Sequence, residues 1–260
     1  MKTRYSFFNI RAGGWIESLL LFGLPGILLV FTFEWLNPWL QNQGMALVWS
    51  FTLSLYLPLL VLGVVAVVAY HLEGNAATWP AFCERMRLQQ PTKRVWLWSI
   101  SALVVALLAE ALLEPSAHVL ARLPFFAPPA LLPSLFDPNQ PIVLPPNEYL
   151  GVPLSGNAWL IALYAVSLAA NIFGEELLWR SFLLPRQELV FGKWAWLVNG
   201  ILWIFVLHFM MRWMWLTLIP TGLLTPLIAQ HVKNTWAAII IHGFGNGVFL
   251  ILIAMGVLGI

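Results

Sequence analysis

Glu175 and Glu176 stand side by side near the middle of a long apolar run, and Arg180 follows after Leu177, Leu178 and Trp179. A charge inside a membrane span costs ~2.5–3.5 kcal/mol on insertion scales, so each such residue calls for a chemical reason. On an α-helix, Glu176 and Arg180 lie four positions apart and share a face, so this pair neutralises itself. Glu175 points about 100° away, with Arg180 off its face. The spacing therefore separates a structural ion pair from a carboxylate left free to take a proton from water.

Two further polar clusters follow. His208 ends the apolar run Ile204-Phe205-Val206-Leu207, and His242 and Asn246 stand four apart on one face of a later run. With ~1.5 Å rise per residue, Glu175 lies roughly 21 Å from Leu189 at the cytoplasmic end of its span. By the same arithmetic His208 lies roughly 24 Å from Gly192, and His242 and Asn246 roughly 14 and 20 Å from Lys233. All four fall at similar depth in the hydrocarbon layer and are able to line one cavity. A carboxylate in apolar surroundings suits a general base, and the N–H groups of His242 and Asn246 suit a developing oxyanion. That is the chemistry of amide hydrolysis. Other intramembrane mechanisms fit worse. The chain has one aspartate, Asp137, in a loop, no H-E-x-x-H motif and no G-x-S-G motif, and Ser155 sits in a proline-rich stretch.

The elements that position these groups are membrane spans. Of 260 residues, 60% are hydrophobic and 9% charged, against roughly 25% charged in soluble domains. The expected fold is an all-α polytopic bundle with about seven spans, 16–36, 45–71, 94–113, 158–189, 193–211, 213–231 and 235–256. The first is too long for a cleaved signal peptide. We read 1–260 as one membrane domain: three spans in 1–113, a surface loop over 114–157, and a four-span core over 158–256. The loop holds ten of the 18 prolines, which forbids a continuous helix. It reads as a cap over the helix ends or as a lid, with a short interfacial helix near 129–136. Lys2, Arg4, Arg11, Arg85, Arg87, Lys93, Arg94, Arg180, Arg186, Lys193 and Lys233 fall on one side, and only Arg122 and Arg212 on the other. That asymmetry predicts a cytoplasmic N terminus and an outer proline-rich loop. A net charge of +2 is too small to suggest nucleic acid, and a single cysteine, Cys83, excludes disulfides and cysteine-based zinc clusters. Glu110, Glu114 and His118 repeat at i, i+4, i+8. Pro115 is expected to interrupt that helix, leaving a solvated end, with a metal or substrate contact as the other reading.

E-E-x-x-x-R, a histidine ending an apolar helix and H-x-x-x-N, in that order over 158–256, resemble the CPBP family. This family of CAAX proteases and bacteriocin-processing enzymes includes the type II CAAX prenyl endopeptidases. The second family motif is usually F-x-x-x-H, whereas Ile204 stands four before His208 and Phe205 three before. The resemblance implies a glutamic intramembrane endopeptidase with Glu175 as general base and His208 holding the attacking water. His242 and Asn246 would form the oxyanion hole, and Glu176 and Arg180 would maintain the architecture. No cofactor is implied, although Glu175, His208 and His242 are also a plausible zinc set. The partners would be lipid and a membrane-associated protein or peptide, whether a prenylated C terminus, a leader peptide or a C-terminal sorting signal. The expected location is the bacterial cytoplasmic (inner) membrane. The rival reading is non-enzymatic: a transporter-like or helix-binding module whose midplane charges line a path, although no internal repeat supports it.

Overall fold

Long apolar runs, once in lipid, satisfy their backbone only as helices, and the computed structural model is helical almost throughout. It describes residues 10–129, 132–133, 136–140 and 146–260. Helices α1 (Trp15–Asn42), α2 (Leu47–Leu72), the stretch Trp159–Phe205 and two others named below are long and apolar enough to cross a membrane. A short helix, α3 (Trp79–Arg85), precedes α4 (Lys93–Ala121). The Trp159–Phe205 stretch is composite: α5 (Trp159–Glu175), a π-helical turn over Glu176–Leu183, α6 (Leu184–Phe191) and α7 (Ala195–Phe205). Gly192, at φ +55° and ψ −126°, turns the chain back on itself in a conformation that glycine adopts without a Cβ clash. After the reversal, Asn199 of α7 donates hydrogen bonds to Gln187 Oε1 (2.8 Å) and to the Trp179 carbonyl (3.2 Å). Helices α8 (Trp215–Val232) and α9 (Trp236–Leu258) complete the core.

Two boundaries differ from the sequence expectation. The third span does not stop before Pro115: α4 runs through it to Ala121. Proline removes one ladder bond, the one to the Ala111 carbonyl, without ending the helix. The fifth span is not helical to 211. Helix α7 ends at Phe205, and Leu207–Met214 forms tight 3-10 turns with non-helical backbone at His208 (φ −85°, ψ 26°) and Met211 (φ −119°, ψ 42°).

Close helix approach sets the core. A Cβ on Gly174 of α5 would lie 1.9 Å from the Leu59 carbonyl oxygen of α2, so these helices touch through backbone, as small residues allow in membranes. Gly222 of α8 receives Ile204 of α7, whose Cγ1 would be 2.4 Å from an added Cβ. That contact gives a packing reason for isoleucine at the position where the family motif has phenylalanine. Beneath the site, fully buried Gln187 donates to Ser18 Oγ (3.0 Å) and ties α1 to α6.

Ion pairs gather at the two ends. At one end, Arg186 bridges Glu17 (2.6 Å) and Glu73 (2.7 Å), Arg85 also pairs with Glu73 (2.7 Å), and Glu188 holds Arg87 and Lys233. At the other, Arg212 pairs with Glu34 (2.8 Å) and donates to the Phe125 and Ala127 carbonyls. The proline-rich segment contributes a small antiparallel hairpin, β1 (Glu148–Tyr149) and β2 (Val152–Pro153). Fully buried Leu154 and the Pro146 carbonyl press onto Gly256 of α9, so these described residues cap the helix ends. The helix expected near 129–136 falls largely outside the described residues.

Candidate active site

Glu175 is the last residue of α5, where α-helical bonding gives way to the wider π turn, a feature frequent at functional sites. It is 2% exposed, and no ion pair holds it among the described residues. Asn171, one turn earlier, donates to its Oε1 (2.7 Å), and the indole N–H of Trp203 donates to its Oε2 (2.6 Å). Glu176 is fully buried. Its Oε1 meets Arg180 Nη1 (3.3 Å) and His242 Nδ1 (2.8 Å). The division between a paired and a spared carboxylate thus holds, and His242 joins the paired side.

His208 sits in the tight turns after α7. The helix ends before residue 207 can bond back to the Trp203 carbonyl, and His208 Nδ1 donates to that oxygen instead (2.9 Å). With Nδ1 carrying the proton, Nε2 presents a lone pair. The His208 ring lies against the Trp203 indole with centroids 4.0 Å apart, and His242 meets the same indole edge-on at 5.8 Å. Arg180 lies 5.2 Å from it. Asn246 reaches the group at one remove: its Nδ2 donates to Asn171 Oδ1 (3.0 Å), and Asn171 holds Glu175. Tyr164 steadies that stretch of α9 by donating to the Asn246 carbonyl (3.2 Å).

Helices α5, α7 and α9, with the turn after α7, therefore bring together Glu175, Glu176, Arg180, His208, His242 and Asn246. Trp203 was not singled out from the sequence, because one tryptophan among 15 in an apolar run reads as bulk. Asn171 was visible only as a polar residue one turn before the glutamates, a signal that intramembrane polarity does carry.

The acid and imidazole atoms able to meet around one cation are those of Glu175, Glu176 and His242, within 4.8 Å of one another. His208 is not in that set, so the sequence-level zinc trio is not the geometric one. Both oxygens of Glu175 and one of Glu176 already accept N–H donors, and Arg180 brings a positive charge to the same place. That donor set suits carboxylates held by protein N–H groups better than a divalent ion. The other series divides. Glu110 faces Thr221 of α8, while Glu114 and His118 pair with each other (2.9 Å) at the exposed end of α4.

Residues 157–248 match the family model described as Type II CAAX prenyl endopeptidase Rce1-like. This segment is similar to the CAAX proteases. The matched region starts just before α5 and ends within α9, so it spans all six site residues and leaves α1–α4 outside. No curated protein and no solved structure matches the chain. The matched segment is carried by a polytopic helical membrane protein, and the similarity indicates a protease in general.

Proposed function

We propose that this protein is a metal-free glutamic endopeptidase that cleaves a membrane-associated peptide with a water activated by Glu175. The observation that carries the reading is the shared environment of Glu175 and His208 on opposite functions of Trp203, one on its indole N–H and the other on its carbonyl. A water between the Glu175 carboxylate and the His208 Nε2 lone pair loses a proton to Glu175 as its oxygen attacks the scissile carbonyl. The new C–O bond makes a tetrahedral oxyanion. The free N–H of Asn246 and Nε2–H of His242 donate to that oxygen. His242 then carries protons on both nitrogens, its charge facing Glu176. Collapse breaks the C–N bond, and Glu175 returns its proton to the leaving amine. Glu176 and Arg180 hold His242 and the π turn in place.

The family description points to a prenylated C-terminal peptide as the first substrate to try. The segregated ion clusters, together with the basic asymmetry of the sequence, support a cytoplasmic N terminus and an outer hairpin. In proteoliposomes supplied with a farnesylated C-A-A-X peptide, Glu175→Gln is expected to abolish cleavage with unchanged expression and thermal unfolding. Wild-type cleavage is expected to survive a divalent-metal chelator. Full activity in Glu175→Gln would overturn the general-base role, and loss of wild-type activity on chelation, restored by added zinc, would overturn the metal-free mechanism.

A further inference from the structure

Both groups proposed to flank the attacking water are held by one residue that the family motifs do not include. The indole N–H of Trp203 fixes Glu175 Oε2 at 2.6 Å, and its backbone carbonyl takes the Nδ1 proton of His208 at 2.9 Å. Its ring, 2% exposed, forms the wall against which His208 packs at a tilt of 54°, with centroids 4.0 Å apart. We infer that Trp203 is a positioning residue that sets the carboxylate plane of Glu175 and the tautomer of His208 together; this rests on the roles given to those two residues above. The local fold explains why one residue does both. Helix α7 stops at Phe205, so the Trp203 carbonyl has no helical partner four residues on and is open to a side-chain donor. The same residue's side chain projects across to α5, where Glu175 closes its last turn. If the helix continued through 207, the carbonyl would be consumed in the ladder and His208 would have no fixed tautomer.

The consequence is kinetic. A misplaced carboxylate or a rotated imidazole lowers the rate of the chemical step while leaving substrate binding intact. Trp203→Phe keeps the ring and the backbone carbonyl but removes the indole donor. A hydrogen bond to a charged group is worth about 1.5–3 kcal/mol, so kcat is expected to fall about ten- to a hundredfold. KM is expected to stay within about twofold. The control is Trp213→Phe, the same exchange at a fully buried tryptophan whose indole nitrogen has no hydrogen-bond partner among the described residues; it is expected to leave kcat unchanged.

The full-length protein in proteoliposomes, assayed with the farnesylated C-A-A-X peptide, gives the test. A kcat in Trp203→Phe within about twofold of wild type overturns the inference. So does a parallel loss of kcat and thermal stability in both variants, which would mark a packing role. If the wild type leaves the peptide intact, the substrate reading fails separately. The inference is then decided without substrate, by the indole N–H resonance absent from Trp203→Phe. It is expected to shift in Glu175→Gln, and an unmoved resonance overturns the positioning role.

Discussion

At the scale of single residues, the site divides its charges by burial and partner. Glu176 and Arg180, 0% and 1% exposed, form a pair whose members cannot be separated without leaving an uncompensated charge. Breaking a buried pair by removing one member costs about 3–5 kcal/mol. Glu176→Gln and Arg180→Ala are therefore expected to lower the thermal unfolding temperature along with activity, whereas Glu175→Gln lowers activity alone; differential scanning of the three purified variants distinguishes them. His242 is expected to follow Glu176 rather than Glu175 in such a series, since its Nδ1 is bound there. The paired and spared carboxylates were legible in the sequence from helical phase, because i and i+4 share a face whatever surrounds the helix. Of the spared one's partners, Asn171 shares its face at the same i, i+4 spacing, whereas an indole from another helix has no signature in spacing.

At the scale of elements, helix contacts with no side chain between them set the site's position. The α2–α5 contact runs through Gly174, immediately before Glu175, against the Leu59 carbonyl. Gly174→Ala places a methyl carbon 1.9 Å from that oxygen, so its cost is expected at or above the top of the ~1–3 kcal/mol usual for overpacking. Activity is expected to be lost with it. Gly63→Ala, whose added carbon would meet Gly174 at an ordinary 3.5 Å, is expected to be neutral or mildly stabilising, because alanine favours helix. Thermal unfolding in detergent compares the pair. Apolar run length indicated the helices themselves well. The ends of α4 and α7 were misjudged for opposite reasons: Pro115 costs one ladder bond and the helix continues through it, while the apolar run past Phe205 leaves the helix although its composition would have continued it.

At the scale of the whole molecule, the charges sort to two ends, with Glu17, Glu73, Arg85, Arg186 and Glu188 at one and Glu34 and Arg212 at the other. The lone cysteine, Cys83, lies two residues before Arg85 in α3 at the basic end. A membrane-impermeant maleimide is expected to label it in inside-out vesicles and not in right-side-out ones; the reverse result would overturn the orientation. Burial pushes the Cys83 thiol above its ordinary value. Only the thiolate reacts, so labelling is expected to rise with pH and to be still rising beyond the ordinary thiol value of ~8.5. In the proline-rich segment, burial likewise raises the Tyr149 phenol far above its usual value, keeping it neutral beside Tyr56.

The amino-acid order alone indicated a helical membrane protein and which of Glu175 and Glu176 shares a face with Arg180, because hydropathy and helical phase are properties of each segment by itself. Tertiary structure decided that His242 turns to Glu176, that Asn171 and Trp203 grip Glu175, and that α7 breaks off where His208 needs a carbonyl. Those outcomes depend on which helices meet and how closely, and that is fixed by contacts between residues far apart in the chain.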